Sequence, residues 1–265
     1  MDHTPLRIVQ ISDTHLMSEK DGALLGVKTD DSFRSVVELL KQDKKKPDLI
    51  LHSGDIAQDG SEKAYLRLAT LLSELNVPIY CVPGNHDNPN IMANVYPQEM
   101  VSDNRHIVFK KWHLIMLNSQ KPGAVEGFLD QTQLRFMQAS LQLHPEHYAA
   151  IIFHHHPVLV NCCWLDKLGL INADEFWRVA LHFSNIKGVF FGHVHQELEQ
   201  AHNGIACFSA PSTCIQFKPR QEHFTLEKIP PGYRWIELYE DGSIQTGVVR
   251  AANYVGVFDP HAKGY

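Results

Sequence analysis

Short apolar runs alternate with longer amphipathic stretches along most of the chain. Eight runs have the length of a β-strand, and several are apolar at nearly every position, as in strands that are buried on both faces. They are RIVQI (7–11), DLILHS (48–53), VPIYCV (77–82), HIVF (106–109), HLIMLN (113–118), YAAIIF (148–153), IKGVFF (186–191) and GIACFS (204–209).

Helical periodicity separates these runs. Residues 31–42 place Phe33, Val36, Val37 and Leu40 on one face, and residues 61–75 form a second amphipathic pattern after a capping serine. Residues 130–143 and 173–183 indicate two more helices. Strands that alternate with helices predict an α/β fold of βαβ units with largely parallel strands. Near the C-terminus, Asp241-Gly242 between two strand-like runs predicts a hairpin.

Length and composition narrow the class of protein. The chain has 265 residues and shows no linker-like composition, so we expect one domain over residues 1–265. Acidic residues outnumber basic ones, 30 to 24, which argues against binding to a nucleic-acid polymer. The sequence shows no signal peptide and no apolar stretch of about 20 residues, so we expect a cytoplasmic protein without a membrane anchor.

The cysteines of the sequence indicate packing residues, whereas the placement of the histidines indicates a possible site. Five cysteines without Cys-x-x-Cys spacing are expected to be reduced packing residues, and the adjacent Cys162 and Cys163 are only a weak redox signal. Seventeen histidines are the compositional oddity, and several of them follow predicted strands.

Five of the predicted strands end in Asp, Asn or His. The segments that follow them are Ser12–His15, Gly54-Asp55, Gly84–Asp87, His154–Pro157 and Gly192–His195. Each segment alone is typical of a turn, a helix cap or a surface histidine. Because ligand sites of open α/β sheets lie beyond the carboxyl ends of the strands, the five together predict a binding site.

Imidazole, carboxylate and amide ligands without thiolates suit borderline divalent metals such as iron, manganese or zinc. Two Asp, one Asn and four His are too many ligands for one ion and suffice for two if a carboxylate is shared. Paired metals about 3.5–4 Å apart are used for displacement at phosphorus. Asn85 is a neutral ligand where a third carboxylate could stand. The two metal ions therefore keep positive charge that a bridging hydroxide and a phosphodiester would balance.

In order and spacing, these motifs resemble those of the calcineurin-like metallophosphoesterases. The phrases ISDTHL, ALLGV, GDIAQD, PGNHD, HHHP, CWLD, GHVHQEL and PSTCIQFKP resemble, over nearly the whole chain, the bacterial class III 3′,5′-cyclic AMP phosphodiesterases. The resemblance implies a four-layer αββα sandwich of two mixed sheets flanked by helices. It also implies hydrolysis of cAMP to 5′-AMP by a metal-bridging hydroxide, with two divalent ions. These are expected to be Fe²⁺ and/or Mn²⁺, with Zn²⁺ as the alternative.

The resemblance further implies roles for single residues. One metal would be held by Asp13, His15, Asp55 and His195, and the second by Asp55, Asn85, His155 and His193. His15, Asn85, His86 and His195 would surround the substrate, with His86 beside the phosphate as the catalytic residue. Asp87 is expected to orient its neighbours.

The choice among the three adjacent histidines is open. The family pattern places the ligand two residues before Pro157, at His155. Strand alternation would turn His154 and His156 to the opposite side, and a shift of register would change that choice.

The sequence contains fewer indications of a binding site for the adenine base than of the metal site. Trp164 is expected to stack on adenine, and a packing role is the alternative. A broader phosphodiesterase or another nucleotide phosphatase is the nearest rival function. A non-catalytic scaffold with this fold is the rival from a different class, although the ligand set is complete.

Overall fold

The computed structural model describes residues 4–252, 254, 256–259, 262 and 264. The strands are β1 (Leu6–Ile11), β2 (Ala23–Leu24), β3 (Val27–Lys28), β4 (Leu49–His52), β5 (Ile79–Cys81), β6 (Val101–Ser102), β7 (His106–Phe109), β8 (Trp112–Met116), β9 (Tyr148–Ile152), β10 (Ile186–Phe191), β11 (Leu198–His202), β12 (Ile205–Ser209), β13 (Gln216–Phe217), β14 (Leu226–Glu227), β15 (Gly232–Leu238) and β16 (Ile244–Arg250). The helices are α1 (Thr29–Gln42), α2 (Glu62–Ser73), α3 (Pro89–Val95), α4 (Gln131–Leu143) and α5 (Ala173–Ala180), and a 3₁₀ turn spans Leu165–Lys167. Within the described part of the chain, no helix is long and apolar enough to cross a lipid bilayer.

Most of these strands form two mixed sheets. Sheet 1 has the order β16-β15-β1-β4-β5-β6, and sheet 2 has the order β11-β12-β10-β9-β8-β7. The strands β1, β4, β5 and β6 run parallel, as do β8, β9, β10 and β12. Antiparallel strands lie at one edge of sheet 1 and at both edges of sheet 2. The predicted α/β class and the mixed sheets are confirmed.

Alternation along the central strands explains why the sheets stack. In β1, Val9 and Ile11 contact the helices α1 and α2, whereas Ile8 points toward the second sheet. In β9, Ile151 faces α4 and α5, and Ile152 faces the first sheet. Strands that are buried on both faces thus produce three apolar layers, which correspond to the predicted αββα sandwich.

The C-terminal hairpin forms as predicted. The strands β15 and β16 pair along their whole length, and Gly242 adopts the positive φ (85°) that the turn requires. The hairpin completes one side of sheet 1, where β15 pairs with β1.

Candidate metal centre

Loops that follow β1, β4, β5, β9 and β10 meet at the carboxyl ends of the two sheets. The loops after β1 and β4 are tied together because Asp13 N–H donates to the Gly54 carbonyl and His15 N–H donates to the Asp55 carbonyl, both at 3.0 Å. The loop after β10 joins them because His193 N–H donates to the Asp13 carboxylate at 3.1 Å. The strand-end residues therefore come together in space, as the sequence predicts.

Five of these residues have left-handed backbone conformations. The φ angles of Asp13, His15, Asp55, His193 and His195 lie between 48° and 67°. A non-glycine residue in this region costs about 1–3 kcal/mol and persists only where surrounding contacts impose it. Such strain is concentrated here because the turns aim these side chains inward.

Two glycines allow the loops to approach so closely. A Cβ atom at Gly84 would lie 2.2 Å from Asp55 Oδ1, and one at Gly192 would lie 2.1 Å from the Ser12 hydroxyl oxygen. Any larger residue would push the loops apart, so both glycines are needed for the geometry of the site.

The first ligand group consists of Asp13, His15 and His195, all buried. His15 Nδ1 lies 2.6 Å from the Gln58 amide oxygen, and His195 Nδ1 lies 2.9 Å from the Ile215 carbonyl oxygen. Since both oxygens are acceptors, both Nδ1 atoms carry protons and both Nε2 atoms are left with lone pairs. These two Nε2 atoms face each other at 3.1 Å, and His195 Nε2 is 3.3 Å from Asp13 Oδ1.

The second group surrounds the Nε2 atom of His154. His154 Nδ1 donates to the Ser53 carbonyl at 2.8 Å, which turns Nε2 into the site. Asp55 Oδ2, Asn85 Oδ1 and His193 Nδ1 each lie 3.2 Å from this Nε2. Asp55 Oδ2 is also 4.0 Å from His15 Nε2, so Asp55 lies between the two groups.

In each group, several electron-pair donors point toward one another. A cation bound between them would stabilise this arrangement. Carboxylate oxygens, an amide oxygen and imidazole nitrogens form this donor set, which borderline divalent metals prefer. The fit of the residues to two metal ions is therefore good.

The electrostatics agree with this arrangement. Burial opposes the ionisation of Asp55, but His154 beside it holds the pKa of Asp55 well below its usual value. Burial also disfavours a charged His154, yet the Asp55 carboxylate raises the pKa of His154 to about 9. Burial lowers the pKa of His15 to about 3 and that of His193 well below its ordinary value, so both keep free lone pairs.

His155 occupies a different environment from His154. Its Nε2 lies 3.0 Å from the Val125 carbonyl oxygen, and its Nδ1 lies 2.8 Å from the Ser119 hydroxyl oxygen. The carbonyl can only accept, so Nε2 donates and Nδ1 accepts from Ser119, which engages both ring nitrogens. The expectation that alternation turns His154 away is wrong, because β9 ends at Ile152 and its two-residue period does not continue.

Several supporting residues carried no signal in the sequence. Gln58 and Ser53 orient His15 and His154, and Ser119 holds His155. Ser53 and Ser119 are ordinary polar residues, and Gln58 is an inconspicuous position of GDIAQD. Asp87 was expected to orient its neighbours, and this is confirmed. Its carboxylate accepts from the backbone N–H groups of Ile56, Ala57 and Gly84 and from the Tyr65 hydroxyl, at 2.8–3.2 Å.

His86 and Trp164 lie beside the metal ligands, on the wall of a cavity of about 260 Å³. His86 N–H donates to Asp55 Oδ1 at 2.9 Å, and the His86 ring contacts the edge of His15 at a centroid distance of 5.2 Å. Trp164 contacts Phe217 and Phe224 edge-on at 5.0 and 5.1 Å. Phe217 in turn stacks on His195 at 4.1 Å, so an aromatic wall begins at a metal ligand.

Two sheets with paired ligand groups at their carboxyl ends define a dinuclear metallohydrolase of the αββα type. The chain matches the calcineurin-like phosphoesterase family over residues 6–197, and it belongs to that family, whose members use two metal ions.

Relatives with named activities cover nearly the whole chain. The chain is 38% identical over 246 residues to the 3′,5′-cyclic adenosine monophosphate phosphodiesterase CpdA of Haemophilus influenzae, which covers 92% of this chain and 90% of the relative. It is 38% identical to the CpdA of Vibrio vulnificus, with 100% and 97% covered. It is 34% identical to a 3′,5′-cyclic-nucleotide phosphodiesterase of Nostoc, with 93% and 92% covered.

Solved structures share the fold at low identity. A dimetal phosphatase from Danio rerio superposes with a TM-score of 0.63 and 13% identity, covering 93% of this chain and 99% of that one. GAP50 of Plasmodium superposes with a TM-score of 0.67 and 13% identity, covering 98% and 90%.

Proposed function

We propose that this protein is a metal-dependent phosphodiesterase that hydrolyses 3′,5′-cyclic AMP to 5′-AMP. The observation that carries the proposal is the pair of ligand groups sharing Asp55 next to an aromatic-walled cavity. The names and full-length coverage of the bacterial relatives support the cyclic nucleotide as the substrate.

The distances support one ligand assignment. Asp13, His15, Asp55 and His195 would hold one metal ion, and Asp55, Asn85, His154 and His193 would hold the other. This differs from the sequence-based assignment at one position, where His154 replaces His155 because only His154 directs a ring nitrogen toward Asp55 and Asn85. When bound, the two ions would activate water and neutralise charge that develops at phosphorus.

The protein's own groups would orient the substrate and move protons. Hydrolysis adds water across the P–O3′ bond, so the water oxygen bonds to phosphorus and a proton reaches the departing 3′ oxygen. His86 lines the cavity together with Asn85, His193 and Trp164. Its imidazole would donate a hydrogen bond to a phosphoryl oxygen, or a proton to the 3′ oxygen.

The cavity offers a place for the base. Trp164, Phe217 and Phe224 form one aromatic wall, and Leu168 and Val125 add apolar surface. Adenine would therefore be held by aromatic contact.

The thiol state supports the predicted cytoplasmic location. All five cysteines are free, and Cys162, Cys207 and Cys214 are buried as packing residues. Free thiols are typical of reducing compartments.

The decisive experiment uses metal-stripped protein that is reloaded with iron, manganese or zinc. Hydrolysis is measured with cAMP, cGMP, 2′,3′-cyclic nucleotides and a chromogenic diester. The proposal requires metal-dependent turnover with the highest kcat/KM for cAMP. Equal activity on all diesters would indicate the broader phosphodiesterase, and metal binding without any turnover would indicate a scaffold.

A further inference from the structure

Four histidines lie together at the end of sheet 2 opposite the catalytic centre. His106 belongs to β7, His113 is the second residue of β8, and His144 and His147 lie in the turn between α4 and β9. The first residue of β8, Trp112, pairs with the first residue of β9, Tyr148, whereas His154 follows the other end of β9. This cluster is therefore separate from the site that binds the catalytic metals.

Three side chains in and beside this histidine cluster are close enough to share one ligand, and the ring of His113 packs against two of them. Donor atoms of His144, Glu146 and His147 all lie within 4.8 Å of one another. The ring of His113 contacts those of His144 and His147 at centroid distances of 5.8 and 6.4 Å. His106 Nε2 lies 3.0 Å from His113 Nδ1, so one of these two nitrogens donates to the other.

His113 supplies the second and independent indication of a ligand. Its side chain is fully buried, and its Nε2 has no hydrogen-bond partner in the described part of the chain. A buried unpaired ring nitrogen is costly, because the group has lost water and gained nothing in return. If His113 Nδ1 donates to His106, the Nε2 atom carries a free lone pair among the neighbouring histidines.

We propose that His113, His144, Glu146 and His147 form a binding site for a divalent transition-metal ion, with zinc as the best match. Neutral imidazoles and one carboxylate are zinc ligands, and a four-coordinate site with three such imidazoles is a common arrangement. His106 acts as the outer partner that orients His113, as residues behind metal-bound histidines do.

Charge also favours a cation here. Burial, followed by the neighbouring histidines, lowers the pKa of His113 to about 4, so its ring is neutral at neutral pH. Glu146 is exposed, and its carboxylate lies 2.8 Å from His147 Nδ1, so a negatively charged ligand stands beside the imidazoles. A bound ion would join the β7–β8 edge to the α4–β9 turn and stabilise that end of the sheet.

Zinc stoichiometry in equilibrium dialysis of the full chain tests the proposal. The double variant His144→Gln with His147→Gln should bind one zinc ion fewer per chain than the wild type and keep its phosphodiesterase activity. A matched control replaces His182 and His223, two exposed histidines outside the cluster, with Gln and should keep every zinc ion. Asp55→Ala, which changes the catalytic centre, should keep the ion of the histidine cluster.

A milder variant covers the case in which the double variant does not fold. His106 contacts His113 and would not contact the ion itself. His106→Gln should therefore weaken zinc binding at this site by about 10- to 100-fold. Zinc should also raise the melting temperature of the wild type and of the control pair more than that of His106→Gln. Unchanged zinc stoichiometry in the double variant, or unchanged zinc affinity in His106→Gln, would overturn the proposal.

Discussion

At the scale of single residues, the site depends on which imidazole nitrogen is available. Carbonyl or amide oxygens of Ser53, Gln58 and Ile215 each bind one ring nitrogen of a histidine and turn the other inward. Residue types at strand ends are visible in a sequence, but these hydrogen bonds depend on loops that meet only in the folded chain. The sequence therefore predicts which strand-end residues meet, whereas the choice within HHHP depends on the folded loops.

The two neighbouring histidines give a sharp test of the ligand assignment. We expect His154→Ala to lose one of two tightly held metal ions and nearly all turnover, because its Nε2 lies among three donor atoms. His155→Ala should keep both ions and lose stability by about 1–3 kcal/mol, since Ser119 and Val125 lose a buried partner. Metal content by mass spectrometry and denaturant unfolding measure both effects. The reverse pattern of metal loss would restore His155 as the ligand.

Asp55 is the residue that both ligand groups share. Asp55→Ala should release both metal ions and abolish turnover, because each group loses the carboxylate that they share. Asp103→Ala, which removes an exposed carboxylate, is the matched control and should change neither quantity. Two tightly held ions per chain in Asp55→Ala, measured after dialysis against a chelator, would show that the ions do not need a bridge.

His86 should act on the reaction and not on metal binding. We expect His86→Ala to keep both ions while kcat for cAMP falls by about 10²–10⁴-fold, the usual contribution of a positioned acid or base. A diester with a strongly acidic leaving group needs no proton donor, so rescue with that substrate would identify His86 as the acid. Equal losses on both substrates would favour a hydrogen bond to the phosphate, and loss of a metal ion would make His86 a ligand.

At the scale of elements, the sequence predicts the strands with long apolar runs correctly. It does not predict several short strands or helix α3. All eight predicted strands and all four predicted helices occur, with ends that differ by a few residues. The two-residue strands, such as β2 and β13, are too short to show a period. The sequence does not predict helix α3, because Pro89 after Gly, Asn and Asp is typical of a turn. In the structure Pro89 is the first residue of the helix, and the side chain of Asn88 caps it.

The loop that carries Trp164 can be tested with two substrates. Trp164→Ala should lower kcat/KM for cAMP if the indole stacks on adenine. The decrease should correspond to a loss of about 1–3 kcal/mol of transition-state stabilisation. A small diester without a base should be hydrolysed almost as well as by the wild type. Equal losses on both substrates would assign Trp164 to packing against Phe217 and Phe224.

At the scale of the whole molecule, the two sheets share their middle layer. Ile8, Leu51 and Ile236 from sheet 1 pack with Ile152 and Phe190 from sheet 2. Because ligands come from both sheets, the metal centre requires this layer to hold them in register. We therefore infer that the chain folds as one domain, as its length predicts.

A core substitution can show whether both sheets unfold together. Phe190→Ala removes a fully buried ring from the layer between them and should destabilise the protein by about 3–5 kcal/mol. In one cooperative domain, native-state hydrogen exchange should show the same loss of protection at Ile8 in β1 and at Ile151 in β9. Leu159→Ala, at an exposed position, should change neither amide by more than about 0.5 kcal/mol. Loss of protection confined to β9 would mean that sheet 2 unfolds independently, and the metal centre would then lie between two separable domains.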